Sequence, residues 1–331
     1  MPERLGMRIA GTGRYLPQRV LNNHDFETLV NTTDAWIKER TGIETRHIAA
    51  DNESTATLAC NAARVALADA GLTAQDIDLL IIATITPECL YPSTACFVQR
   101  ELGLREIPAF DLSAACSGFI YALLTATRMI QGQAFKHALV IGAETMSRIT
   151  DYQDRASCIL FGDGAGACVI SHEDNTDGPC VLHSKMHASG VDPAMLWVPA
   201  GGSRLPASMM TVQERLHYTK MRGQEVYKLA VKRNMEVIES TLAEAGVDPA
   251  ELALVIPHQS NLRIIESARE KLNLPREKMF INIHRCGNTS AASVPMGLDE
   301  CRRAGRIKAG DLVLLVAFGA GLTWASALLR I

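Results

Sequence analysis

The stretch LADAGLTAQDIDLLII (67–82) is matched by LAEAGVDPAELALVIP (242–257), without a gap and at an offset of 175 residues. The same offset aligns KHALVIG (136–142) with DLVLLVA (311–317). A fixed offset between similar segments is the signature of an internal repeat. The chain is therefore predicted to contain two related structural units.

A third match in the same register aligns the serine-to-cysteine turn at 113–116 with residues 288–291. We therefore divide the chain into an N-terminal half, residues 1–172, and a C-terminal half, residues 173–331. The polar stretch SHEDNTDGP (171–179) is the predicted seam between them.

Each half is predicted to alternate helices and strands, with a helix that ends at a glycine followed by a buried strand, a turn, an apolar helix and another buried strand. Continuous apolar strands are typical of sheets that helices cover on both faces. The fold class is therefore α/β. PAGGSRLPAS (199–208) is a predicted loop inserted into the second half. The four predicted strands are LLIIA (79–83), ALVIG (138–142), LALVI (252–256) and LVLLVA (312–317).

Composition favours a globular protein, because 47% of the 331 residues are hydrophobic and 21% are charged. The net charge of −3 gives no general attraction for nucleic acid or a membrane. The first residues lack the apolar core of an export signal, so we expect a cytoplasmic location. The most apolar stretch, Gly118 to Leu124, is too short to span a bilayer and predicts a buried helix.

Nine cysteines occur without CxxC pairs or a Cys/His metal spacing, so neither a zinc site nor a disulfide framework is predicted. Cys116 stands out because DLSAACSGFIYALL (111–124) places it between an apolar strand and an apolar helix. A helix N-terminus stabilises a thiolate, so we expect a lowered pKa and a nucleophile at Cys116. The alternative is a buried structural cysteine.

The second half supplies candidate partners, namely His258 in VIPHQSN and Asn288 in RCGNTSAAS. Considered one at a time, His258 could equally be an ordinary loop histidine, and Asn288 could equally belong to an ordinary Gly-Asn turn.

FGDGAGA (161–167) lacks the lysine and spacing of a phosphate loop and predicts a turn that enters a strand. AFGAGLTWA (317–325) is either a tight turn or a segment that points N–H groups at an oxyanion.

Together these segments resemble the β-ketoacyl-acyl carrier protein synthase III family over essentially the whole chain. The resemblance rests on DxxxACSGFxYAL, VPHQxNxRI, GNTSAASVP and AFGxGxTW, supported by DAWIKERTGIETRHIA (34–49), DRASCILFGDGAGA (154–167) and RGQEVYKLAV (222–231). It implies a thiolase-like fold, in which the two halves form αβαβα layers. It also implies a condensing enzyme that initiates fatty acid synthesis without a metal or other cofactor.

Carried over to this chain, the resemblance implies that acyl-coenzyme A acylates Cys116 and that malonyl-acyl carrier protein then condenses with the acyl group, with loss of carbon dioxide. His258 and Asn288 would bind the malonyl thioester carbonyl and stabilise the enolate. The backbone N–H groups of Cys116 and Ala320 would form the oxyanion hole.

The resemblance also implies binding residues. Trp36 and Arg155 would flank the adenine of coenzyme A, with Arg40 near the phosphates and Asn261 at the substrate site. The family pairs as homodimers, which IPAFDL (107–112) would join, with Tyr91 reaching the partner's acyl pocket. Basic residues would face the acidic carrier protein, namely Arg222, Lys228, Arg263, Arg269 and Lys271.

Three positions depart from the family pattern. Ala320 interrupts a run that usually reads GGG, and Cys286 replaces a bulkier residue before Gly-Asn, so primer preference is expected to differ. Glu270 occupies a position that is often basic, which would alter carrier docking.

The sequence is also compatible with other functions. One is a specialised relative in polyketide or secondary-lipid assembly, or an enzyme that transfers the acyl group to a non-malonyl acceptor. The others are a Cys-His-Asn hydrolase, disfavoured by the lack of papain-like signatures, and a silent subunit, disfavoured by the presence of Cys116.

Overall fold

The computed structural model describes residues 4–132 and 134–331, which contain thirteen strands and ten helices. The strands are β1 Leu5–Tyr15, β2 Arg19–Asn22, β3 Thr45–Ile48, β4 Leu79–Ala83, β5 Ala109–Leu112, β6 His137–Glu144, β7 Gly164–His172, β8 Cys180–Ala188, β9 Leu196–Trp197, β10 Lys220–Met221, β11 Leu254–Pro257, β12 Leu312–Gly319 and β13 Thr323–Arg330. The helices are α1 Asn23–Glu27, α2 Asp34–Thr41, α3 Thr55–Ala70, α4 Thr94–Leu102, α5 Gly118–Ile130, α6 Met209–Gln213, α7 Gly223–Ala245, α8 Leu262–Lys271, α9 Ile283–Cys286 and α10 Ser293–Arg303.

Nine strands follow one another in the order β11-β12-β13-β8-β1-β7-β6-β4-β5. The middle of this series is weak, because β1 and β8 pair only through Leu5 with Val181 and Gly6 with Cys180. The strands therefore form two sheets that meet at one short junction. Each sheet contains parallel pairing towards its outer edge, β6 with β4 and β4 with β5 in the first sheet and β11 with β12 in the second.

The internal repeat predicted from the sequence is confirmed strand by strand. β1 and β8 begin at Leu5 and Cys180, and β6 and β12 begin at His137 and Leu312, each pair 175 residues apart. Helices α3 and α7 both end at a left-handed glycine, with φ of +65° at Gly71 and +67° at Gly246. Glycine adopts this conformation without a Cβ clash, which explains the predicted stops.

Helices α5 and α10 form the central layer, since their apolar side chains pack with strands of both sheets in one buried cluster. α3 and α4 cover the outer face of the first sheet, and α7 and α8 cover the outer face of the second. The predicted αβαβα layering is therefore confirmed. All of β4 and β11 is buried, as expected for strands between two helical layers.

Three further sequence features agree with the structure. FGDGAGA leads into β7 at Gly164, the 199–208 stretch is irregular, and Gly118 to Leu124 opens α5. β7 ends at His172 and β8 starts at Cys180, so the proposed boundary between the halves falls at the end of a strand. Within the described ranges, no helix has the length and apolarity to cross a bilayer.

Candidate active site

A cavity of about 520 Å³ lies between the two halves. Three predicted residues from different elements line it, namely Cys116, His258 and Asn288. Each is nearly buried, with exposed fractions of 8%, 5% and 7%. Five predicted binding residues line the same cavity, namely Trp36, Arg40, Lys228, Asn261 and Arg263.

Cys116 lies in a 3₁₀ turn, Ala115–Ser117, directly before α5. The residue before it, Ala115, has a φ of +46°, an unfavourable value for a residue with a Cβ. Burial raises the pKa of the Cys116 thiol to about 12, with hydrogen bonding from Ser290 acting in the opposite direction. The prediction that this pKa is lowered was wrong for the enzyme without substrate. Loss of solvation around a buried thiolate raises the pKa by more than the helix N-terminus lowers it.

His258 directly follows β11, and its backbone N–H donates to the Val316 carbonyl at 2.8 Å. Its Nδ1 lies 2.7 Å from the Ser293 hydroxyl, whereas its Nε2 has no hydrogen-bond partner among the described residues. Burial lowers the pKa of the imidazole to about 3. At neutral pH the ring is therefore uncharged, with one nitrogen fixed and the other unengaged.

Asn288 follows Gly287, whose φ of +65° makes the turn. Its backbone N–H donates to the Leu160 carbonyl at 2.9 Å, and its side-chain oxygen accepts the Ser290 N–H at 2.9 Å. Because of this second bond, the side-chain oxygen of Asn288 is already engaged within the protein. The NH₂ end is therefore the part of Asn288 that remains to donate to a ligand.

The turn between β12 and β13 packs against Cys116. A Cβ placed on Gly319 would lie 2.7 Å from the Cys116 backbone nitrogen. The Thr323 hydroxyl donates to the Ala114 carbonyl at 2.9 Å and ties the turn in place. Gly319 lines the cavity, whereas Ala320 is half-buried just outside this lining.

The cavity mouth carries Trp36 with two arginines over its ring, Arg155 at 4.2 Å and Arg40 at 5.7 Å. Arg155 thus rests directly on the indole, so an adenine between them would have to displace it. Asn261 is engaged at both ends, since its oxygen accepts the Arg263 N–H at 2.9 Å and its NH₂ donates to the Arg40 carbonyl at 3.0 Å. It caps α8 and joins it to α2.

The predicted carrier-facing residues divide into two groups. Arg222 forms ion pairs with Asp192 and Glu225, and Arg269 forms ion pairs with Glu266 and Glu270. Lys228, Arg263 and Lys271 are exposed, as Arg222 also is, but they form no ion pair with any described residue. Tyr91 is 86% exposed and does not line the cavity, nor does the departure Cys286, which is buried beside Ala292 and Met296.

Three side chains near the cavity were not identified from the sequence, namely Glu144, Ser290 and Ser293. Glu144 is fully buried at the end of β6, and its electrostatic effect reaches Cys116. The one sequence signal was an acidic residue that ends the apolar strand HALVIGAE (137–144). Ser290 and Ser293 lie inside GNTSAAS but offer no pattern that separates them from ordinary turn serines.

Comparisons with known proteins match this chain over its full length. Family models described as 3-oxoacyl-[acyl-carrier-protein] synthase III and its C-terminal region match residues 110–190 and 242–331. The beta-ketoacyl-[acyl-carrier-protein] synthase III of Caldanaerobacter subterraneus is 48% identical over 330 residues, covering 100% of this chain and 99% of that protein. The protein of the same name from Xanthomonas campestris is 47% identical over 330 residues, covering 100% of both chains.

Among solved structures, the 3-oxoacyl-[acyl-carrier-protein] synthase III of Aquifex aeolicus superimposes with a TM-score of 0.90 at 46% sequence identity. The match covers 98% of this chain and 100% of that one. The family expected from the sequence motifs is thus confirmed by sequence and by structure. The chain belongs to the 3-oxoacyl-[acyl-carrier-protein] synthase III family and is an acyltransferase of the condensing type with a thiolase-like fold.

Proposed function

We propose that this chain transfers an acyl group from acyl-coenzyme A to Cys116 and condenses it with malonyl-acyl carrier protein, which initiates fatty acid synthesis. One observation carries the proposal. Beside a single thiol in the cavity, the unengaged His258 Nε2 and the Asn288 NH₂ provide two N–H donors to one substrate oxygen when the His258 ring proton is on Nε2. This is the arrangement that an enolate formed by decarboxylation requires.

In the first half-reaction the Cys116 sulfur attacks the thioester carbonyl, and coenzyme A leaves as its thiolate. We assign the oxyanion hole to the backbone N–H groups of Cys116 and Ala320. Support comes from the turn that holds Gly319 against the Cys116 backbone. A tight turn at this place fixes the donors before charge develops, so they need not reorganise during the reaction.

In the second half-reaction His258 must donate from Nε2, and Ser293 explains how it can. The Ser293 hydroxyl lies 2.7 Å from Nδ1, and it has the Ser290 carbonyl as a second acceptor at 3.0 Å. The Gln259 N–H approaches the same hydroxyl oxygen at 3.4 Å. We propose that, when substrate binds, the Ser293 hydroxyl turns its hydrogen from the Ser290 carbonyl to Nδ1, which leaves the ring proton on Nε2 and positions His258 in this tautomer.

Substrate capture is assigned to the cavity mouth. Trp36 and Arg155 would take the adenine of coenzyme A and Arg40 its phosphates, since arginine makes charge-assisted bonds to phosphate. For the carrier protein we propose Lys228, Arg263 and Lys271, which are exposed. Arg222 and Arg269 would contribute less, because their own carboxylate partners already neutralise them.

We also propose a homodimer that acts in the cytoplasm. β5 is an edge strand with half-buried residues, so a second copy could extend the sheet there. The exposed side chain of Tyr91 would then reach the partner's acyl pocket.

The half-reactions give the test. Cys116→Ala is expected to lose acyl-enzyme formation while it still releases carbon dioxide slowly from malonyl-carrier. His258→Ala and Asn288→Ala are expected to acylate, but to decarboxylate about 10²–10³-fold more slowly, because each lacks one enolate donor. Intact-protein mass after exposure to a panel of acyl-coenzyme A thioesters measures the first step, and labelled carbon dioxide measures the second.

Cys168→Ala is the matched control. Burial raises the pKa of Cys168 to about 12, as it does for Cys116, but Cys168 does not line the cavity. Its removal is expected to leave both half-reactions unchanged. Acyl mass on the Cys116→Ala variant, or normal decarboxylation by His258→Ala, would contradict the assigned roles.

A further inference from the structure

Buried polar atoms without a hydrogen-bond partner are rare in folded proteins, and each one calls for an explanation. Among the described residues, three such atoms belong to the surroundings of Cys116, namely His258 Nε2, Glu144 Oε1 and Ser290 Oγ. Substrate binding accounts for the first. The proposed function gives no role to the other two.

Glu144 is bound to the protein through one oxygen only. Its Oε2 accepts four hydrogen bonds from the turn after β4, from the Thr84 hydroxyl at 3.1 Å, the Ile85 N–H at 3.1 Å, the Thr86 N–H at 3.1 Å and the Thr86 hydroxyl at 2.6 Å. Four donors on one oxygen stabilise the carboxylate form. Oε1 remains as a vacant position for a proton.

Ser290 opens a 3₁₀ turn, Ser290–Ala292, that packs against β6, which ends at Glu144, and against the turn of Cys116. Its hydroxyl makes no hydrogen bond within the described residues, but it is near enough to both groups to lower the pKa of Cys116 and of Glu144. Its backbone is fixed, with a φ of +48° and an N–H that donates to Asn288 Oδ1 at 2.9 Å. A hydroxyl can accept one proton while it donates another, so Ser290 is suited to pass a proton between its two neighbours.

We propose that Glu144 accepts the thiol proton of Cys116 through Ser290 when the acyl-enzyme forms. As the sulfur bonds to the acyl carbon, the thiol proton moves to Ser290 Oγ, and the Ser290 hydroxyl proton moves to Glu144 Oε1. Coenzyme A leaves with the electron pair of the broken carbon–sulfur bond and takes a proton from solvent. The inference rests on the proposed function.

The same path operates in reverse when the condensation releases the Cys116 thiolate. Glu144 returns its proton through Ser290, and both residues regain their starting forms. The whole cycle then consumes one solvent proton, which appears in free coenzyme A, and the carboxylate of the malonyl group leaves as carbon dioxide. Glu144 would therefore hold the proton for the lifetime of the acyl-enzyme.

Glu144 suits this role better than His258. Burial raises the pKa of Glu144 to about 7, so both of its forms are accessible near neutral pH, whereas the pKa of His258 is lowered to about 3. Cys116 is near enough to Glu144 for the charge of the carboxylate to raise the pKa of the thiol. Other charged side chains on the elements around β6 have their own partners: Arg64 with Glu101, Asp69 with Thr12, Asp163 with Ser147, and Asp299 with Arg14.

Glu144→Gln tests the relay in the full-length enzyme, because the amide oxygen can still accept from the Thr84–Thr86 turn. Pre-steady-state acylation by acetyl-coenzyme A would be followed by intact-protein mass as a function of pH. In the wild type the rate should rise through about pH 7 as Glu144 ionises. In Glu144→Gln and Ser290→Ala we expect acylation to slow by about 10²-fold and this rise to disappear.

Thr86→Val separates proton transfer from a structural role. It keeps Glu144 but removes the 2.6 Å donor to Oε2, so the carboxylate is less stabilised and the pH profile should move to higher pH. Acylation by Glu144→Gln at the wild-type rate and with the wild-type profile would overturn the relay, as would an unchanged profile in a folded Thr86→Val. A wild type that acquires no acyl mass would instead overturn the proposed function.

Discussion

Replacing Gly319 with alanine should impair acylation far more than it impairs folding. A Cβ at this position would lie 2.7 Å from the Cys116 nitrogen, 3.1 Å from the Ser117 nitrogen and 3.3 Å from the Ala115 Cβ. Ordinary contacts begin at 3.4 Å, so the shortest one must lengthen by about 0.7 Å. The atoms that must move include backbone atoms of the turn Ala115–Ser117, which contains Cys116.

The size of the effect follows from this displacement. Overpacking of a well-packed site costs about 1–3 kcal/mol, which an enzyme with a large core should survive. Misplacement of reacting groups by about 1 Å slows a reaction by about 10²-fold, so a shift of 0.7 Å should slow acylation by at least about tenfold. Decarboxylation should change less, because His258 and Asn288 are held by other elements.

Stopped acylation reactions with acetyl-coenzyme A, analysed by intact-protein mass, give the rate, and labelled carbon dioxide release gives the second activity. Gly190→Ala is the control, since a Cβ there meets nothing within 4 Å. The reasoning would be refuted if folded Gly319→Ala acylated at the wild-type rate, or if it lost both activities equally.

Further predictions concern binding, stability and assembly. Trp36→Ala should raise KM for acyl-coenzyme A by about tenfold through lost stacking, but not for an acyl-pantetheine, and initial rates with both substrates check this. Lys228→Ala should raise KM for malonyl-carrier and weaken its salt dependence, whereas Arg222→Ala should do neither, because Asp192 already pairs with it. Burial lowers the pKa of His258 from 6.5 to about 3, so the free energy of unfolding should fall as pH drops below about 6.5, where the unfolded chain takes up a proton that the folded chain refuses. Urea titrations of the wild type and His258→Asn measure this contribution, and equal slopes would contradict it. Light scattering at micromolar concentration should give a dimer, and a fully active monomer would exclude one.

The sequence predicted the architecture well because its signals are local and repeated. Buried strands such as LLIIA are apolar over their whole length, and glycines such as Gly71 mark helix ends through their own φ preference. The offset of 175 residues then predicted that each helix or strand of one half has a counterpart in the other half. The strand-turn-helix setting of Cys116 was likewise visible in the order of residues, and the family motifs supplied its partners.

Electrostatic states could not be predicted in the same way. The pKa of Cys116 was expected to be lowered, yet burial by residues distant in sequence raises it to about 12. Arg222 and Arg269 looked like free cations, but Asp192 and Glu266 neutralise them. Solvation and charge pairing depend on which side chains are in contact in three dimensions. Contacts between residues distant in sequence cannot be read from a local sequence pattern.

The sequence by itself determined two related α/β halves, their order of elements and Cys116 as the candidate nucleophile. Only the tertiary structure decided which end of each polar group is left unengaged: Nε2 of His258, because Ser293 binds Nδ1, and Oε1 of Glu144, because the turn after β4 binds Oε2. The physical reason is that periodicity and turn preferences act over a few residues. A hydrogen bond such as that between His258 and Ser293 joins residues 35 positions apart, and it exists only once the layers have packed.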